Sequence, residues 1–230
     1  MNKSFFAAVA ATALLAASAA SAAVVGDFQL NGSLANGAGG GAILSDNTMG
    51  GLGPSGIDFG ANQGPTVTGL GTLAEYTIET NFSLDSVSSY RKVVDFFDRV
   101  SDGGFYVLNG RLNFYPFATG PDEFVGGQAV TAVLTRDASK LVTAYLNGVS
   151  QFSFVDTTDQ ALINGALHFF RDDFATGQGE ASSGFVNYIR ISDTAGAPTV
   201  VPEPAAWALM IMGFGAVGAV VRRRRVFAAA

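Results

Sequence analysis

The sequence predicts an all-β protein, a sandwich of two antiparallel sheets built from one body between Ala23 and Asp193. Three observations carry that reading. From Val24 to Asp193 the apolar residues show no sustained helical spacing, only short alternating or apolar runs. Tyr76–Phe82 alternates cleanly, placing Tyr76, Ile78 and Phe82 on one strand face. Two Asn-Gly pairs, Asn109-Gly110 and Asn147-Gly148, each separate two such runs. Asn-Gly takes positive φ at both central positions, which suits the type I′ turn that matches strand twist.

The elements follow in order. Tyr76–Phe82 is a half-buried strand. Arg91-Lys92-Val93 enters the core, with Val93, Val94, Phe96 and Phe97 partly buried. Phe105–Leu108 and Arg111–Tyr115 form the first hairpin, and Thr143–Leu146 and Val149–Phe154 the second. Further strands are expected near Val130–Leu134, Ala166–Phe170 and Phe185–Ile191. The chain has no cysteine, so a body of this size depends on its apolar core, to which 15 phenylalanines between Phe28 and Phe185 contribute.

The ends have a different logic. Met1–Ala22 has a basic start (Lys3), an apolar run from Phe5, and the small-residue ending Ala20-Ser21-Ala22. That is the pattern of a secretory signal peptide cut after Ala22, at a site read through Ala20 and Ala22. Thr194–Val201 reads as a linker carrying Pro198. Residues 205–221 hold no charge, about the minimum for a membrane helix, and Arg222, Arg223, Arg224 and Arg225 follow at once. The arginines hold that end in the cytoplasm, and Trp207 suits the opposite headgroup layer. Both signals give one topology, with the body outside. Setting aside Lys3 and Arg222–Arg225 leaves 8 basic against 19 acidic residues, a net charge of −11. Such a surface disfavours nucleic acid and anionic membranes as partners.

Two resemblances follow from these residues. Pro202-Glu203-Pro204, then Trp207-Ala208, an apolar stretch and the arginine cluster resemble a PEP-CTERM sorting signal, in its variant with Trp-Ala after the Pro-Glu-Pro motif. The resemblance implies a tail at 202–230, a transient anchor in the inner membrane of a Gram-negative bacterium that makes exopolysaccharide. It also implies cleavage near Pro204 by an exosortase-type protease. The body, 23–193, is similar to LamG-like, concanavalin A-like jelly rolls. The similarity lies in Phe28–Ser33, Gly56–Gly60, Tyr90–Phe96, Asp102–Tyr106, Tyr145–Gly148 and Tyr188–Ile191, in that order. It implies two facing sheets with ligand or metal sites in loops at a rim or on one sheet face.

For catalysis the residue supply is poor. The single histidine, His168, lies in an apolar run as a strand residue at the core edge, and no Gly-x-Ser-x-Gly elbow accompanies it. Jelly-roll glycosidases place carboxylates on one strand as Glu-x-Asp-x-x-Glu, a spacing absent here; Glu75 and Glu79 share a face with no third acid. The expectation is therefore a non-enzymatic module of the cell surface or polysaccharide matrix, with carbohydrate as ligand class. A glycan hydrolase or an adhesion subunit without a small ligand are the alternatives. Asp172, Asp173 and Glu180 are candidate calcium ligands, since a hard cation takes carboxylate and carbonyl oxygens; the alternative is that the aspartates are solvated or pair with Arg171 or Arg190. Asp95, Asp98 and Asp102, interleaved with Arg91, Lys92 and Arg99, read as a surface ion network. Tyr90, Tyr106 and Tyr115, where exposed, could stack on sugar rings.

Overall fold

A computed structural model describes residues 23–48 and 51–197. The expected signal peptide, residues 198–201 of the linker, the Pro202-Glu203-Pro204 motif, the membrane helix 205–221 and the arginine cluster lie outside the described residues. Among the described residues no helix is long and apolar enough to cross a membrane.

The strands are β1 (Val24–Phe28), β2 (Ile43–Ser45), β3 (Leu52–Gly53), β4 (Gly56–Phe59), β5 (Thr66–Thr68) and β6 (Thr72–Leu73). Next come β7 (Tyr76–Leu84), β8 (Tyr90–Asp95), β9 (Gly104–Leu108), β10 (Arg111–Tyr115), β11 (Ala118–Glu123) and β12 (Val130–Arg136). The last five are β13 (Leu141–Leu146), β14 (Val149–Val155), β15 (Ile163–Asn164), β16 (Leu167–Phe169) and β17 (Gly184–Ser192). An eight-stranded sheet runs β14-β13-β12-β7-β17-β4-β3, with β1 sharing one edge of β17 with β4. A seven-stranded sheet runs β11-β10-β9-β8-β16-β5-β2, and β15 and β6 form a small ribbon. The pairings are antiparallel, so the fold is an all-β jelly-roll sandwich.

Local chemistry sets these elements. In β7 every second residue, Tyr76, Ile78, Thr80, Phe82 and Leu84, is buried, as a strand with one face on the core requires. Asn109 and Gly110 take φ of 49° and 81°, and Asn147 and Gly148 take 49° and 84°, closing two-residue hairpins. Between the sheets Phe59 stacks on Phe170 with ring centroids 4.5 Å apart, and Phe82 lies 5.2 Å from Phe170. Each buried ring contributes about 1.5–3 kcal/mol relative to exposure.

Two polar features fix the ends. Arg136 is buried, with Nε donating to Asp156 at 3.1 Å, another nitrogen to Asp159 at 2.5 Å and the third to the Ala74 carbonyl. The Asp156 carboxylate also accepts the amides of Gln160 and Ala161. Nearby, the two ends of the body meet. The Ala23 amide donates to the Asp193 carboxylate and the Asp193 amide to the Ala23 carbonyl, both at 3.0 Å. The expected linker starts as part of the body, because Thr77 Oγ1 donates to the Thr194 carbonyl and accepts the Gly196 amide, each at 2.8 Å.

Candidate functional site

Strand alternation divides the middle of the second sheet. Val107, Leu112 and Phe114 point into the core, while Lys92, Tyr106 and Asn113 lie side by side on the opposite face. A register shift between Lys92 and Val94 allows Val93 and Val94 both to be buried. The outward face is not left to solvent. Where β16 ends, the chain loops out over 171–179 and returns so that the Lys92 amide donates to the Glu180 carbonyl at 2.8 Å. The loop is pinned by Asp172, whose carboxylate accepts the Glu180 amide at 2.8 Å, and by Asp173, which accepts the Thr176 amide at 2.8 Å. Arg99 donates to the Asp172 carbonyl at 2.6 Å and lies 4.3 Å from the Phe174 ring.

Beneath this cover the Lys92 ammonium is fully buried. It lies 3.1 Å from Asp173 and 3.6 Å from Asp95, with the carbonyls of Asp102 and Gly103 at 3.3 and 3.4 Å and the Tyr106 ring centroid at 4.2 Å. The Tyr106 hydroxyl donates to Asp102, whose carbonyl is 2.7 Å and carboxylate oxygen 3.0 Å away. Burial pushes that phenol far up, reinforced by the Asp102 charge.

Above Tyr106 opens a cleft of about 110 Å³ lined by Tyr90, Tyr115, Asp102 and Glu180. The Tyr90 ring meets Tyr115 edge-on, with centroids 5.7 Å apart and planes at 82°, and meets Tyr106 at 5.6 Å and 80°. Among the described residues the Glu180 carboxylate has no hydrogen-bond or ion-pair partner, and Asp172 Oδ1 is buried without one. Burial first, and then the charges of Asp172 and Asp102, push the Glu180 carboxyl above its ordinary value. Burial raises Asp172 as well, whereas for Asp173 the burial penalty is outweighed by the Thr176 amide and Lys92, and its carboxyl is lowered. Two larger recesses exist, of about 410 Å³ beside Asp159 and about 380 Å³ beside Arg111 and Glu123. Asp159 there pairs with Arg136 and Lys140, Asp98 takes a hydrogen bond from His168, and Arg111 pairs with Glu123.

The expected residues are thus brought together, with divided tasks. Of the expected calcium trio, Asp172 holds the loop, Asp173 holds Lys92, and Glu180 reaches the cleft. Among the described residues no three His, Cys, Asp or Glu side chains converge with the geometry to hold a metal ion. The alternatives do not form either: both aspartates are buried, Asp173 pairs with Lys92, and Arg190 faces Asp27 and Glu79. The surface network expected around Asp95 is corrected: Lys92 and Arg99 are buried against the 171–179 loop and Asp95 beside Lys92 in its own turn, while Asp98 stays exposed. The tyrosines Tyr90, Tyr106 and Tyr115 do cluster, with Tyr106 buried and the other two half-exposed. His168 is a strand residue at the core edge, between Thr66 and Asp98 at 3.1 and 3.2 Å. Glu75 and Glu79 serve the other sheet, Glu79 accepting from Tyr188 at 2.6 Å. The contributions of Asp102 and of buried Lys92 were not expected; the signal for them was Tyr90-x-Lys92, which places both side chains on one strand face.

Fold and tail together define a class, an antiparallel jelly-roll sandwich carrying a sorting signal. Residues 200–225 match the family model of the PEP-CTERM protein-sorting motif. That motif marks the chain for export and sorting to the cell envelope or surface, with processing by an exosortase. No curated protein sequence matches the chain. Among solved structures it is similar to domain 4 of an extracellular arabinanase from Geobacillus stearothermophilus, in complex with arabinotriose. The TM-score is 0.50 at 15% identity, over 78% of this chain and 97% of that one. The Trypanosoma rangeli sialidase gives 0.55 at 14% identity, over 75% of this chain and 31% of that one. The receptor binding domain of botulinum neurotoxin D gives 0.54 at 11% identity, over 75% and 50%. The aligned region thus spans half or less of the sialidase and toxin chains, and at these identities the likeness is one of fold.

Proposed function

We propose that the body is a non-enzymatic carbohydrate-binding module of the cell surface or extracellular polysaccharide matrix, delivered there by its sorting tail and then released from it. The observation that carries this reading is the cleft itself, two half-exposed tyrosine rings with carboxylates at the rim. Tyrosine faces offer the C–H surfaces of a sugar ring an apolar wall, and carboxylates accept its hydroxyls. Its volume is well below the roughly 300–1,000 Å³ of a drug-sized pocket, which suits part of one sugar ring at a chain end. The arabinanase domain was solved with arabinotriose, and a sialidase shares the architecture, which supports the ligand class by fold analogy. Glycan-array binding by the secreted protein tests this, with Tyr115→Ala expected to lower affinity at least tenfold. Absence of binding to every glycan, or binding indifferent to Tyr115→Ala, overturns it.

One observation favours a second reading, a glycan hydrolase. Asp102 and Glu180 face one cleft and Glu180 is raised, which suits a general acid beside a second carboxylate. Reducing-end release from bound glycans, lost in Glu180→Gln, would establish hydrolysis in place of binding.

A further inference from the structure

We propose that the cleft recognises a positively charged amine, and that the sugar it takes is an amino sugar with a free ammonium group, preferred over its N-acetylated form and over uronates. This rests on the carbohydrate reading above and names the ligand within it.

The argument starts from charge. Asp102 and Glu180 line the cleft, with Asp172 and Asp173 buried behind them. The cations close by are held by partners other than Glu180, with Arg91 Nε alone buried without a partner among the described residues. Lys92 lies between Asp95 and Asp173, Arg91 donates to the carbonyls of Tyr90 and Gly179, and Arg99 to the Asp172 carbonyl and Gln178. Glu180 is left as an anion facing other anions, a standing repulsion that an entering cation relieves and a uronate worsens. The raised Glu180 carboxyl and the raised Tyr90 phenol report the same acidic field, after burial.

The walls agree with the charge. An ammonium offers donors and no acceptor, which matches carboxylates that can only accept. Tyrosine rings attract a cation over their faces, and edge-to-face rings present such faces to a small recess. The chain uses the same chemistry internally, since the Lys92 ammonium is held by two carboxylates, two carbonyls and the Tyr106 ring at 4.2 Å. At about 110 Å³ the recess holds the volume of roughly four liquid waters, enough for an ammonium and part of one ring. An acetamide there loses the charge and adds bulk.

Calorimetric titration of the secreted protein with glucosamine, N-acetylglucosamine and galacturonate oligomers tests the proposal. The free-amine oligomer is expected to bind at least tenfold tighter than the acetylated one, with galacturonate weakest. Glu180→Gln should abolish the preference for the free amine, so that the free-amine and acetylated oligomers bind within about twofold of each other. Equal or tighter binding of the acetylated or uronate oligomer overturns the amine and leaves the carbohydrate reading standing. If no oligomer binds, titration with butylammonium read by tyrosine fluorescence decides. Saturation that Glu180→Gln removes supports the cation preference without the sugar, and no saturation sinks it. Tight binding of calcium chloride that displaces the amine would assign the acidic rim to a metal and overturn the proposal.

Discussion

At one end of the first sheet Arg136 directs each guanidinium nitrogen at a partner, and the carboxylate it meets, Asp156, also takes two backbone amides. On the outer face of the second sheet Lys92 is just as deeply buried and also meets two aspartates, Asp95 and Asp173. The surroundings differ. Around Arg136 the charges balance, with Lys140 sharing Asp159. Around Lys92 acids are in excess, since Asp102, Asp172 and Glu180 crowd the same region, and one of them opens on a cleft. A buried ion pair gives little net stability, because desolvation offsets attraction, so the balanced network reads as a fastening of loops. The unbalanced one keeps a repulsion that the fold does not need.

Removing each cation breaks the comparison most directly. Lys92→Met should lose about 3–5 kcal/mol in denaturant melts, at the upper end, because it leaves Asp95 and Asp173 buried without a counter-ion. Arg136→Met should lose less, about 3 kcal/mol, since Asp159 is half-exposed and keeps Lys140, whereas both acids that meet Lys92 are fully buried. The reverse order would mean that the acid excess carries no energetic weight.

A smaller effect sharpens the point through pH. Glu180 has a folded pKa above 4.5, so the folded state holds its proton where the unfolded chain has lost it. Stability tied to this group is present below 4.5 and falls as pH rises through the folded value. Glu180→Gln should remove that fall and gain on the order of a few tenths of a kcal/mol at neutral pH. Asp173 titrates the opposite way. Its lowered carboxyl contributes stability above pH 3.8 that is lost as pH drops through the folded value. Asp173→Asn should therefore flatten the acid limb of the stability curve.

The hairpins and β7 were legible because their signals are local: Asn-Gly at a two-residue turn, and alternation over Tyr76–Phe82, which the strand extends to Leu84. The tyrosine cluster was legible only as a set of names, since Tyr90, Tyr106 and Tyr115 meet through the register of β8, β9 and β10. The burial of Lys92 and Asp95 could not be read. Mixed charges at close spacing look solvated, and what covers them is a loop some 80 residues later, as the Lys92–Asp173 separation of 81 shows. Asp172 and Asp173 drew notice as adjacent acids, yet adjacency in a loop says nothing of which carboxylate turns inward.

The pairing of the chain ends has a mechanical consequence. The tail leaves the body just past β17, which β7 grips along one edge while β4 and β1 share the other. Tension applied there pulls a nine-residue strand lengthwise between neighbours, so its ladder of hydrogen bonds resists together instead of opening one rung at a time. On the proposed reading of a tail that anchors and then releases the body, the pull falls on a strand paired along both edges.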